Sequence, residues 1–205
     1  MRQFYNKEDA FTGLEAAIVL IAFVVVAAVF SYVVLGAGFF TTQKSQEVVH
    51  TGVSQASSSI ELIGNVYAHG DTGNGELDYL QFTVGTTAGG TGVDVTKMVI
   101  TYKDEGYTDE ITYNADAAKF DGDTCTPTED LNAGEWTVCQ VLNDNGNSNS
   151  LIEPREQFII VVIPQDAATL TANTPFTIEL KPAVGAVLPI RRTVPPAIET
   201  FNVLY

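Results

Sequence analysis

The chain has 205 residues, with 25 Asp and Glu against 10 Lys and Arg, and a formal net charge of −15 at pH 7. A surface that acidic repels phosphate backbones, which excludes nucleic acid as a partner. The lack of a polybasic cluster beside the apolar segment also speaks against anionic-lipid recognition. Such a charge suits a surface exposed to salty medium, and the roughly 140 residues beyond the apolar segment suffice for one domain with its own core.

A polar leader, residues 1–10 (Met-Arg-Gln-Phe-Tyr-Asn-Lys-Glu-Asp-Ala), opens the chain. Phe11-Thr12-Gly13-Leu14-Glu15 follows, and Ala16 to Gln43 contain no charged side chain. An uncharged run of roughly 28 residues exceeds the ~20 that span a bilayer core as a helix. It is apolar on every side, so it belongs in lipid or among other helices rather than on the surface of a soluble domain. A secretory signal peptide would be cut beyond its apolar region. Gly36-Ala37-Gly38 matches such a site only loosely, whereas the polar stretch ahead of the run fits cutting on the near side, between Ala10 and Phe11, with the helix retained.

Val49, Val53, Ala56, Ile60 and Ile63 then recur at spacings of four, three, four and three, which predicts that the helix continues as an amphipathic rod. One helix over about Thr12–Ile63 would be on the order of 75–80 Å long, with an apolar stripe on its second half packing against the following domain. Gly36, Gly38 and Gly52 lower its propensity, and Gly64-Asn65 marks its end. Beyond it, strand patterns follow at Leu77–Val84, Val95–Tyr102, Glu110–Tyr113, Glu135–Leu142, Gln157–Ile163, Pro175–Leu180, Gly185–Val194 and Ile198–Tyr205. Turn-rich segments at Gly89–Gly92, Asp121–Asp123 and Asn143–Ser150 punctuate them. Short strands with regular punctuation predict an α+β chain: one long N-terminal helix, then an all-β, Ig-like sandwich.

Cys125 and Cys139 fall in the sandwich. Export to an oxidising compartment would join them as a disulfide, whereas a reducing one would leave two thiols. Glu15 is costly to bury in an apolar helix unless paired. It either meets the new amino group that cleavage before Phe11 creates on another chain, or sits at a membrane surface as a first-turn acid favoured by the helix dipole. Enzymatic signals are weak. His50 and His69 lie in no metal-ligand spacing, and Gly85–Thr91 lacks the Lys of a phosphate loop. Asp121-Gly-Asp123 and Asn143-Asp-Asn-Gly146 could touch Ca²⁺, yet neither has the downstream Glu of a calcium loop. The chain is therefore expected to hold no metal, to carry no catalytic residue and to be no enzyme.

The leader, Phe11-Thr-Gly-Leu-Glu15 and the retained helix resemble type IV pilin precursors, which a membrane-embedded prepilin peptidase cuts before a Phe. The run Ile18–Val29 is similar in particular to archaeal flagellins (archaellins). So are Pro175-Phe-Thr-Ile-Glu-Leu-Lys-Pro182, Gly185–Pro189, Arg192-Thr-Val-Pro195 and Asn202-Val-Leu-Tyr205. The resemblance implies a cleaved leader (1–10), a helix over 11–64 that anchors in the membrane before assembly and forms the filament core after it, and an extracellular sandwich over 65–205. It further implies a homopolymer, an assembly platform and a motor at the filament base, and rotation for swimming. Family leaders usually place Gly at the cut, where this chain has Ala10, and the chain contains no Asn-X-Ser/Thr site. Two other readings of the same layout are a non-rotating adhesive pilin and a membrane-tethered binding domain that keeps its leader.

Overall fold

Helix α1 runs over Lys7–Ser57 as 51 consecutive residues in the computed structural model, which describes residues 7–87, 89–165 and 170–205, the side chains of 7–12 and 56 excepted. It starts ahead of the expected Thr12, because no Pro or Gly interrupts residues 7–12. Its length is about 75 Å at the standard rise. Residues 1–6 of the expected leader lie outside the described residues, as do the side chains of Ala10 and Phe11.

The predicted helical stripe is corrected at its far end. The helix stops at Ser57, and Ile60–Asp71 is strand β1, so a helix reaching Ile63 or Gly64 does not form. Three serines in a row, Ser57-Ser58-Ser59, offer hydroxyls that compete for backbone hydrogen bonds, while Ile60, Ile63 and Val66 are β-branched. The helical spacing was coincidental. Ile60 enters the core, while Val49 and Val53 remain exposed on α1, so the stripe does not act as one packing face.

The chain divides into two compact units, Met1–Thr51 and Gly52–Tyr205. The second is the head. Its strands after β1 are β2 (Glu76–Thr86), β3 (Val93–Asp94), β4 (Val99–Lys103), β5 (Thr108–Tyr113), β6 (Glu135–Leu142), β7 (Leu151–Ile152), β8 (Gln157–Val162), β9 (Pro175–Lys181), β10 (Leu188–Thr193) and β11 (Phe201–Leu204). Nine of them form one hydrogen-bonded order, β10-β9-β4-β5-β6-β8-β2-β1-β11, and β3 pairs with β7 apart from it. Every pairing is antiparallel except β5–β6, where only Thr112 and Tyr113 face Glu135 and Trp136. That short parallel seam joins the two halves of the sandwich, and the Tyr113 and Trp136 rings meet across it at 4.7 Å.

Alternation fills the core from both halves. Ile100 and Tyr102 of β4 and Ile178 and Leu180 of β9 share one buried cluster with Leu80, Phe82 and Val84 of β2 and Phe158, Ile160 and Val162 of β8. Strand β8 is covered on its other side as well. Val161 belongs to a second buried cluster with Cys139 of β6 and with Ala117, Cys125 and Leu131, which the segment 114–132 supplies as it lies over the outer face of β6 and β8. The Cys125–Cys139 disulfide clips this flap to β6, with the Cα atoms 4.7 Å apart.

A second clasp holds the flap's ends. Glu135 Oε2 accepts from the Asn132 backbone N–H at 2.9 Å and from Asn114 Nδ2 at 2.8 Å. These bonds, the Asn132 amide foremost, hold the Glu135 carboxyl below its ordinary range. Because the folded form binds its proton less readily than the unfolded chain, the clasp is fully present above the usual carboxylate range and weakens as pH falls through it.

The link out of α1 is gripped by two loops of the head. Thr91 N–H donates to Ser57 O at 3.2 Å, Thr87 N–H donates to Ser59 O at 3.1 Å, and the Ser58 and Thr91 hydroxyls lie 2.8 Å apart. Gly185 approaches from the β9–β10 loop with φ +120°, where a Cβ would overlap the Ser58 carbonyl oxygen. Gly185→Ala is therefore expected to lower the head's thermal midpoint, by strain of about 1–3 kcal/mol. Replacing Cys125 and Cys139 by Ser removes about 3 kcal/mol of loop-closure stabilisation, or roughly 6–12 °C in midpoint for a unit of this size. Calorimetry of the full chain in detergent checks both.

Candidate assembly surface

From Leu14 to Val53, α1 presents twenty large apolar side chains, each between 51% and 81% exposed. Burying one such side chain is worth about 1.5–3 kcal/mol, so leaving all of them in water would cost on the order of tens of kcal/mol. A domain's whole net stability is only about 5–15 kcal/mol. Water is thus not the medium this surface is built for. The apolar helix over Gly13–Gln55, with a mean hydropathy of 3.0 in its most apolar window, is long enough to cross a bilayer.

Several polar groups toward the helix's C-terminal half are satisfied within it. The hydroxyls of Thr41, Thr42, Ser45 and Thr51 donate to the carbonyls of Ala37, Gly38, Thr41 and Glu47, all at 2.8–2.9 Å. Lys44 Nζ pairs with Glu47 Oε2 at 2.7 Å, one turn apart on the exposed surface. Such back-bonding lets Ser and Thr enter a dry, packed environment without unpaired hydroxyls. Sequence reading passed over these four residues. Their signal was the Thr/Ser concentration immediately after the uncharged run.

At Gly13, Gly36, Gly38 and Gly52 an added Cβ would meet nothing within 4 Å. None of these glycines is therefore required by its own chain's packing. On an apolar helix, small residues allow another helix to approach closely. Glu15 is exposed on the same helix.

Other candidates read from the sequence are placed as follows. His50 is exposed on α1, whereas His69 of β1 stacks on Tyr79 at 5.0 Å and has Nδ1 3.1 Å from Asp78 Oδ2. No group of three or more His, Cys, Asp or Glu side chains is gathered as for a metal among the described residues. Asp121 Oδ1 accepts the N–H of Asp123, closing its own turn. In the 143–150 loop, Asn145 N–H donates to Glu156 and Asn147 Nδ2 to Glu153, so those carboxylates hold the loop. Gly89 lies in a turn that Gly90 N–H closes by donating to Thr87 O at 2.8 Å, with Ala88 outside the described residues.

A long helix whose described apolar side chains are exposed, followed by a β-rich head, defines a subunit whose helix is completed by other molecules. The profile of the archaeal-type flagellin family matches residues 10–192. The chain is 44% identical over 209 residues to "Probable flagellin 1" of Archaeoglobus fulgidus, covering 98% of each. It is 32% identical over 200 residues to "Probable flagellin 1" of Aeropyrum pernix, covering 95% of this chain and 96% of that one. Among solved structures, the archaeal flagellum of Methanospirillum hungatei strain JF1 matches with a TM-score of 0.69 at 32% identity, over 94% of this chain and 99% of that one. An archaeal flagellin from Methanocaldococcus jannaschii shares the fold, with a TM-score of 0.58 at 19% identity over 71% of this chain and 95% of that one. The chain belongs to the archaeal-type flagellin family. It is a structural filament subunit, and its place is outside the cell.

If α1 packs among copies of itself, Gly36→Leu combined with Gly38→Leu should leave the helix intact. Filament yield should fall about tenfold or more, because bulky side chains hold neighbouring helices apart. Circular dichroism of the detergent-solubilised chain and sedimentation of filaments from cells read the two effects separately.

Proposed function

We propose that this chain is the repeating subunit of an archaellum, a filament that a motor at its base rotates for swimming. The observation carrying this reading is the run of exposed apolar side chains on α1 in a chain whose relatives are flagellins. Before assembly α1 sits in the cytoplasmic membrane. On assembly, contacts with other copies of α1 replace lipid contacts, and close packing rather than escape from water supplies the gain. The heads form the outer layer. No step of this role makes or breaks a bond in a substrate, so the chain acts as no enzyme and needs no resident cofactor.

Processing precedes assembly. A prepilin peptidase removes residues 1–10 by cutting between Ala10 and Phe11. The amino group so created at Phe11 pairs with Glu15 of a neighbouring copy, which offsets the cost of placing that carboxylate among apolar helices. An assembly platform then adds the subunit at the filament base.

Two outcomes test this reading. Intact mass spectrometry of natural filaments should give Phe11 as the first residue, and a retained Met1 would instead support a tethered monomer. Cells carrying Glu15→Gln should process the chain normally yet make few or no filaments, as counted by electron microscopy. Adhesion without swimming in the wild type would point to a pilus. Heads this acidic repel one another when unscreened, so filaments dialysed to very low ionic strength with chelator should come apart, as followed by light scattering.

A further inference from the structure

Two Asn-Gly pairs lie in the head, Asn74-Gly75 and Asn145-Gly146, and the fold treats them oppositely. Both asparagines are exposed, and at neither glycine would an added Cβ meet a neighbour within 4 Å. Asn74 is held twice in the β1–β2 turn. Its Nδ2 donates to Asp71 Oδ2 at 2.7 Å, and the N–H of Gly75 donates to Asp71 O at 2.8 Å. Asn145 is held loosely, because its Nδ2 reaches Glu153 Oε2 only at 3.4 Å, beyond the usual range. No described residue accepts the N–H of Gly146, which stands in the irregular 143–150 loop with φ +85°. One pair is locked, and the other has both its amide side chain and the next backbone nitrogen at liberty.

That freedom has a chemical outlet. The Gly146 nitrogen, on losing its proton to solvent, can attack Asn145 Cγ and close a five-membered imide. The N–Cγ bond forms, the Cγ–Nδ2 bond breaks, and Nδ2 leaves as ammonia with a proton taken from water. Water then opens the imide at either carbonyl, giving an aspartate or an isoaspartate at position 145. Glycine hinders this closure least, since it has no Cβ to crowd the ring. The neighbouring asparagines lack the opening. Asn147 and Asn149 precede serines, Asn147 Nδ2 donates to Glu153 Oε2 at 2.7 Å, and Asn149 Oδ1 accepts the Leu151 N–H at 2.7 Å.

We propose that Asn145-Gly146 is a site of spontaneous deamidation, and that its product releases the 143–150 loop from Glu153 and Glu156. Asparagine is among the residues that heat and time degrade first. Asn145 N–H donates to Glu156 Oε1 at 3.0 Å, while Glu153 N–H donates to Oε2 of the same carboxylate at 3.0 Å. Glu156 is only 2% exposed, so its charge depends on those two donors. An isoaspartate lengthens the backbone by one carbon and carries the N–H of position 145 away from Oε1. Either product also sets a new carboxylate against Glu153 in place of an amide donor, and like charges repel. Nothing in this chemistry depends on the filament; it needs only the folded head.

The test incubates the full chain in detergent at mildly alkaline pH, folded and, in parallel, unfolded in guanidinium chloride. Peptide mapping quantifies conversion at positions 74 and 145 by the mass gained when an amide becomes a carboxyl. A protein isoaspartyl methyltransferase labels the isoaspartate share. In the folded chain, conversion at 145 should outrun that at 74 by about tenfold or more, because Asn74-Gly75 must first break two hydrogen bonds. In the unfolded chain the two rates should agree to within about threefold, since the local chemistry is then the same. Absence of a preference for 145 in the folded chain overturns the proposal, and so does a preference of equal size in guanidinium chloride. Converted, folded chain should be cut within 143–150 by a broad-specificity protease about threefold or more faster than fresh chain. Asn145→Gln chain incubated alike should keep its fresh rate of cutting. Cutting of the wild type that stays unchanged after conversion overturns the release of the loop.

Discussion

The constraint on which the rest of this molecule depends is the apolar surface left exposed along α1. Twenty large apolar side chains on α1 are exposed, and the penalty for wetting them exceeds what a head of this size can supply as net stability. Two media remove that penalty, a bilayer and a bundle of like helices, and the same side chains suit both. Because lipid is as apolar as the helix, transfer between them is decided by the quality of packing and by the few polar groups. The hydroxyls of Thr41, Thr42, Ser45 and Thr51 bond to their own helix, and the small residues Gly36, Ala37 and Gly38 leave room for a neighbour. Glu15 is the costly exception, because a carboxylate in either medium calls for a partner.

The head solves a different problem. It must stay folded in an exposed setting while carrying far more negative than positive charge. Strand β8 is the centre of that solution. Phe158, Ile160 and Val162 face the sandwich interior, and Val161 faces the flap, so the strand is covered on both sides. The disulfide and the Glu135 clasp keep the flap in place by two unrelated chemistries, one covalent and one requiring an ionised carboxylate.

Much of this was legible in the residues. The uncharged run stands out because no soluble helix tolerates it, and strands β2, β5, β6, β8 and β9 were readable from alternation and turn punctuation. Strand β1 was not, because Val53, Ala56, Ile60 and Ile63 sit three and four apart and fit a helical face as well as a strand. Only the competition of three consecutive serines, and pairing with β2 and β11, decides against the helix. The two cysteines announced a possible bridge, but nothing local to them showed that the bridged segment would cover β8.

The way β1 leaves the helix has a mechanical consequence. The first strand of the head follows α1 after only two residues and is hydrogen-bonded on both flanks, to β2 over nearly its whole length and to β11 at its far end. A pull along β1 strains many backbone bonds of the β1–β2 ladder together, in shear, where a pull across the ladder would unzip them one at a time. Loaded in that direction, the first strand of the head meets force where a sheet resists it best.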